Sequence, residues 1–230
     1  MVKQQRAVRT RQSLILAAAQ VFAEEGYTAA SLSTVSEAAG VSTGALHFHF
    51  PSKWALAQAV EEAALRALHR ITGRVGSGPG SPMQKLVDSL HALADGLTSD
   101  FVIQAGFRLH CTDGSGTEGA LWREWWSWVE QTLRSAKDGG ELAYGVCVYD
   151  ATAAVVAATA GFQALGGTNT WWLSEPWVTR FWQMQLPALV DARVLTRVRC
   201  WPPRPYRGRP RPRGGVAATL ADERRSVTDE

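Results

Sequence analysis

Between residues 31 and 53 the chain reads SLSTVSEAAGVSTGALHFHFPSK, and no other stretch restricts the fold so tightly. Leu32, Val35 and Ala39 recur at helical spacing, Gly40 ends that short helix, and Val41, Ser42 and Thr43 lead into a second one through Leu46 and Phe50. The pattern predicts a helix-turn-helix. Leu32, Val35, Val41, Leu46 and Phe50 would lock two helices at one angle, and the positions between them would face outward to meet duplex DNA. The candidate contacts are Ser42, Thr43, Gly44, Ala45, His47 and His49 on the second helix, Lys53 at the start of the next, and Arg9 ahead of the first apolar helix. Thr43 and Ala45 are small enough to approach a base edge or a thymine methyl, Gly44 would let the backbone near a phosphate, and Lys53 suits a phosphate.

Residues 9–56, RTRQSLILAAAQVFAEEGYTAASLSTVSEAAGVSTGALHFHFPSKWAL, resemble the amino-terminal DNA-binding domain of the TetR family of transcriptional repressors. The resemblance rests on Ile15, Ala18, Val21 and Phe22, on the Gly26-Tyr27 step, on the two-helix unit and on Phe50-x-x-Lys53-x-x-Leu56. It implies an all-α, TetR-like fold: a three-helix DNA-binding head over residues 1–52 and a larger helical effector-binding and dimerisation body over 53–195. Two residues depart from the family pattern, His47 where Tyr is common and Thr43 where near relatives often carry Lys, which implies an altered operator sequence.

The rest of the chain reads as helices. Residues 12–25 carry the apolar stripe Leu14, Ala18, Val21 and Phe22, whereas residues 1–11, with Arg6, Arg9 and Arg11, read as a mobile arm, either touching DNA or merely solvated. Further helices are expected over 53–74 with Ser52 as N-cap, and over 83–97, 101–110, 120–136, 148–165 and 175–194, the last kinked at Pro187. The Gly/Pro segment 75–82 and the Gly-rich 112–119 read as breaks. Residues 196–230 are dense in Pro, Gly and Arg and read as a disordered tail.

Charge is unevenly placed: +3 over residues 1–75, −6 over 76–192 and +6 over 193–230. A basic head on an acidic body would meet DNA by one end, and the basic tail would add nonspecific attraction to phosphates. Cys111, Cys147 and Cys200 have no zinc or disulfide spacing, and no signal-like segment or uninterrupted apolar span of about 20 residues is evident, so a cytoplasmic protein without membrane contact is expected. No HExxH, G-x-S-x-G, P-loop or dinucleotide fingerprint occurs, so neither an enzyme nor a cofactor is expected.

Trp122, Trp125 and Trp126 share one helical face, with Trp128 off that stripe. Core packing is their ordinary role, and a lipophilic pocket the sharper one. Here SDFVIQAGFRLH and EWWSWVEQTLRSAKDGGEL resemble the body of the gamma-butyrolactone autoregulator receptors, a TetR subgroup of antibiotic-producing bacteria. That resemblance implies a pocket lined by Trp125, with Trp122, Trp126, Leu90, Val102, Ala105, Gly106 and Leu109 nearby. It implies a homodimeric repressor of antibiotic or secondary metabolism, released from an inverted-repeat operator by a small lipophilic effector. The subgroup also holds homologues that answer to antibiotics or intermediates instead of butyrolactones, and an effector-blind DNA binder is a third reading. Ala153, Ala154, Ala157, Ala158 and Gly161 are the candidate positions for close helix pairing between subunits.

Overall fold

In the computed structural model, residues 2–112 and 119–201 are described, with side chains over 5–109 and 119–201. Ten α-helices follow one another among them: α1 (Val2–Glu25), α2 (Leu32–Ala38), α3 (Thr43–His49), α4 (Lys53–Ser77), α5 (Pro82–Ser99), α6 (Phe101–Thr112), α7 (Ala120–Asp138), α8 (Val148–Thr168), α9 (Glu175–Leu189) and α10 (Ala192–Leu195). A 3-10 turn, Thr170–Leu173, joins α8 to α9. The only β pairing among the described residues is a single bridge between Leu142 and Val190.

Serine sets several of the helix starts. The hydroxyls of Ser31, Ser42, Ser52 and Ser81 each accept a backbone N–H from the first turn of α2, α3, α4 and α5, satisfying a donor that a helix leaves open at its N-terminus. The expected helices are therefore present, most of them a turn longer than the periodicity alone indicated. Three expectations need correction. Residues 2–11 belong to α1 and do not form an arm, because no Gly or Pro interrupts a run of good helix formers ahead of Ser13. The final long helix stops at Leu189, where Val190 turns to extended backbone and pairs with Leu142, and α10 restarts behind an Asp191 cap. The tail begins after 201, since Val198 is buried and Arg199 and Cys200 are hydrogen-bonded to α5. The remaining tail, 202–230, lies outside the described residues.

Leu14, Ala18 and Phe22 of α1 are buried with Val35, Leu46, Phe50 and Leu56, so the three-helix unit closes its core on the start of α4. Behind it, α6 packs against both α1 and α4. A Cβ at Gly106 would collide with the Cβ of Ala64 on α4 and approach Leu121 to 3.1 Å, so glycine is what lets the two helix backbones meet. On its other side, the Arg108 guanidinium donates to the Ala23 carbonyl near the end of α1. One helix thus ties the small unit to the large one.

The C-terminal residues lie on α5. The Arg199 N–H donates to Gln84 Oε1 at 2.8 Å, Gln84 Nε2 returns a bond to the Arg199 carbonyl at 3.3 Å, and the Cys200 carbonyl lies 2.8 Å from His91 Nε2. A carbonyl only accepts, so Nε2 carries the proton. Burial pushes the His91 pKa below the ordinary imidazole value, against the upward pull of the Cys200 carbonyl, Glu175, Asp88 and Asp95.

Two outcomes are expected. Gly106→Ala lowers the unfolding free energy by about 1–3 kcal/mol through overpacking, whereas Gly73→Ala in α4, where a Cβ meets nothing within 4 Å, raises it by up to ~1 kcal/mol; urea titration reads both, and similar shifts would disprove the close approach. A histidine whose folded pKa is lowered contributes full stability above its unfolded value of ~6.5 and loses it as pH falls toward the folded value. The urea midpoint should therefore drop between pH 7 and 5, and less so in His91→Gln; the raised pKa of Asp88, caused first by burial, acts in the opposite sense.

Candidate DNA interface and ligand site

The α2–α3 unit is held by its own side chains. Ser42 caps α3 through the Ala45 N–H at 3.2 Å, and the Thr43 hydroxyl lies 3.3 Å from that of Ser36, which is buried on α2. Leu46 and Phe50, one turn apart, point into the core, leaving Ser42, Thr43, Gly44 and His47 exposed. A Cβ at Gly44 would meet only the Ser42 hydroxyl, at 4.0 Å. Packing within the chain therefore does not demand glycine there; a surface that must come close from outside would.

Phe48 is the residue that reading the sequence missed. It stands 82% exposed on α3, with the half-buried His49 edge-on to its ring at 5.2 Å. The signal was available: with Leu46 and Phe50 in the core, position 48 lies about 200° around the helix and must face out. His49 is thus a support for Phe48 as much as a contact in its own right. Lys53 is already engaged: its ammonium donates to the Thr28 carbonyl at 3.0 Å and stands 4.6 Å over the Tyr27 ring, fixing the Gly26-Tyr27 corner to the start of α4. Arg9 is exposed on α1, and Arg11 lies over the Phe50 ring at 5.1 Å.

Among the described residues the ligand candidates are spread over several packing environments. Trp125 is fully buried, and its indole N–H donates to Thr159 Oγ1 on α8 at 3.1 Å. Trp122 sits edge-on to Phe107 of α6 at 4.8 Å, and its buried indole nitrogen has no hydrogen-bond partner among the described residues; nor has that of the fully buried Trp182 on α9. Trp126 turns away to the exposed Tyr149. Trp128, read as off the stripe, is instead wedged between α4 and α5, its N–H donating to Ser89 Oγ at 3.1 Å and its ring against Gly76. Leu90, Ala105 and Leu109 are buried. Gly106 faces α4, and Val102 lines a cleft of about 710 Å³ with Leu16, Ala39, Asp100 and Phe101, where α1 and α2 meet the end of α5.

Against known proteins, residues 14–60 match the family model described as bacterial regulatory proteins, tetR family. The A-factor receptor protein of Streptomyces griseus is 30% identical over 203 residues, covering 86% of this chain and 70% of that one. A crystal structure of a gamma-butyrolactone receptor, described as ArpA-like, superposes with a TM-score of 0.72 at 26% identity, covering 84% of this chain and 94% of that one. CprB of Streptomyces coelicolor, solved in complex with its biological operator sequence, gives 0.70 at 26% identity, with 84% and 94% covered. The fully buried, bonded Trp125 has a direct consequence: Trp125→Ala is expected to cost about 3–5 kcal/mol of stability, read by thermal denaturation, and a loss under 1 kcal/mol would refute its role as a core residue. From the matched helix-turn-helix and from identity running along most of the chain, the protein belongs to the TetR family and is a DNA-binding regulator, not an enzyme, related to the gamma-butyrolactone receptors.

Proposed function

We propose that the chain works as a homodimeric repressor, with residues 1–52 as DNA-binding head and 53–195 as effector and dimerisation body, and that a small lipophilic effector releases it from an inverted-repeat operator. The observation that carries this reading is the outward face of α3, where Thr43, Gly44, His47 and Phe48 stand unsheltered on a helix whose opposite face is locked by Leu46 and Phe50. Small residues at its N-terminal end fit close approach to a major-groove floor, and an exposed ring suits apolar contact with a thymine methyl. CprB in complex with its operator gives a related protein the same kind of partner.

Pairing of subunits draws on α8. By length and composition this helix could cross a membrane, yet only 22% of its most apolar window is buried within the chain. Ala154, Ala157 and Gly161 are exposed along it, Ala153 and Ala158 half-buried, and a Cβ at Gly161 would meet nothing within 4 Å. A second copy covers such a face with close helix contacts, and twofold symmetry then presents two heads about 34–36 Å apart, one turn of DNA.

For the effector, the indole N–H of Trp122, without a partner among the described residues and set in an apolar, aromatic wall, matches a lipophilic molecule with one accepting oxygen, such as a lactone carbonyl. The A-factor and gamma-butyrolactone receptors among its relatives favour that class, and the aromatic crowding of Trp122 against Phe107 favours an antibiotic or intermediate of different shape. Control of antibiotic or secondary metabolism follows from either. Release by 100-fold needs a preference of about 2.7 kcal/mol for the conformation with displaced heads. The contact of α6 with α4 at Gly106 and of α6 with α1 through Arg108 offers the route.

Gel shift with an inverted-repeat duplex, with and without producer extract, tests the reading; binding that extract cannot reverse would leave an effector-blind DNA binder. Phe48→Ala should weaken operator binding by about 10-fold, within the 1–3 kcal/mol of a base contact, with the circular dichroism unchanged; unaltered affinity would remove Phe48 from the interface. Trp122→Phe keeps an aromatic ring, smaller than indole, and deletes the donor, so operator binding should persist while effector sensitivity falls by about 5- to 10-fold. Equal sensitivity would show that the effector does not use that N–H.

A further inference from the structure

Where the three-helix unit meets the larger one, the surface is concave. One face of α1 and the end of α2 stand across from the corner at which α5 gives way to α6, and the cleft between them measures about 710 Å³, within the roughly 300–1,000 Å³ of small-molecule sites. It is lined by the buried Val102 and by two large apolar side chains left in solvent, Leu16 at 60% and Phe101 at 44% exposure. Single exposed apolar residues are ordinary on a protein surface. Two in one cleft, one from α1 and one from α6, leave apolar area that an occupant removes from water.

The electrostatics of the cleft have one sign. Among the described residues Asp100 is the only charged side chain that lines it. Its Oδ1 accepts the Val102 N–H at 2.9 Å, which caps the start of α6 and leaves the negative charge of the carboxylate in place. The helix α5 ends here, with the open carbonyls and partial negative charge of a helix C-terminus. Ser99 donates its hydroxyl proton to the Asp95 carbonyl at 2.8 Å, so its oxygen meets a newcomer as an acceptor. Gln20, whose amide N–H goes to Glu24 Oε1 at 3.1 Å, adds another accepting oxygen. Such a set selects a cation that carries N–H donors and an apolar remainder.

We propose that this cleft is a second small-molecule site, for an organic ammonium: the charged end sits against Asp100 and the carboxyl end of α5, and the apolar ring or chain between Leu16 and Phe101. The site is separate from the aromatic wall at Trp122, which does not line the cleft. Its occupant touches α1 and α6 at once, so binding there and the disposition of the two units are linked. A second copy of the chain is the competing occupant. A twofold contact would set Asp100 against its own copy, like charge on like, and the concave shape suits a small cation better.

The test titrates the full chain into two fluorescent probes: dansylcadaverine, a naphthyl ring on a flexible arm that ends in an ammonium, and dansyl-6-aminohexanoate, whose similar arm ends in a carboxylate. Wild type is expected to shift the dansyl emission to the blue and to bind the ammonium about 10-fold more tightly than the carboxylate. Asp100→Asn keeps an accepting oxygen for the α6 cap and should remove most of that preference. Leu16→Gln, at an exposed helix position, should weaken the ammonium probe by about 5-fold, with circular dichroism unchanged in both variants. No binding by wild type, or a carboxylate bound as tightly as the ammonium, would overturn the proposal. Equal affinity for the ammonium in wild type, Asp100→Asn and Leu16→Gln would also overturn it, since the probe would then sit elsewhere. So would affinity that falls when the protein concentration is raised about 10-fold, because a second copy would then be covering the cleft.

Discussion

The meeting of α4 and α6 at Gly106 and Ala64 is the contact on which the rest of the molecule turns. Two helix axes approach closely only where one residue offers no side chain, and here that residue lies on the helix that also reaches α1 through Arg108. The three-helix unit is attached through α6, by Arg108 to the end of α1, and through α4, which leaves that unit directly and is fixed back to it by Lys53. A displacement of α6 by a fraction of a side chain is therefore felt at both ends of α1–α3 at once. Well-packed contacts of this kind switch between arrangements and do not flex smoothly.

The tryptophans are divided among different tasks. Trp125 and Trp128 hold α7 to α8 and to α5 with indole hydrogen bonds to Thr159 and Ser89, so their nitrogens are satisfied and their rings fixed. Trp126 covers the outside with Tyr149. Among the described residues nothing receives the buried indole donors of Trp122 and Trp182, which is costly in a protein interior unless something else supplies an acceptor. Helical spacing puts 122, 125 and 126 on one stripe, but spacing cannot say which helix stands opposite each ring. The pairing with α5 and α4 that occupies Trp128 depends on contacts more than 30 residues distant in sequence.

The same limit explains which features were legible in the sequence. Helix existence, the serine caps and the α2–α3 unit are local, and the periodicity of Leu32, Val35, Leu46 and Phe50 displayed them. Phe48 was equally local and was passed over, since an aromatic residue invites a core assignment until its angle from Leu46 is worked out. Val102, grouped in the sequence with the pocket residues, lines the cleft beside α1 and α2, and which face of α6 turns to α1 is decided by contacts such as Arg108 with Ala23 that lie far apart in sequence. The docking of residues 198–200 on α5 was invisible for a different reason: their composition is that of a tail, and only Gln84 and His91, over 100 residues earlier, give them a place.

The helical start of α1 carries a last consequence. Sequence composition suggested a thread, and a thread with arginines could enter a minor groove about 6 Å wide. A helix with its side chains is about 10–12 Å across. Because Arg6 and Arg9 ride on a rod from Val2 onward, the front of the molecule is too broad to slip between the two backbones. Were this end to approach a duplex, it would lie across the two ridges like a rail on sleepers, its guanidinium groups spaced by the helix repeat, and it would meet the width of the groove before the identity of any base.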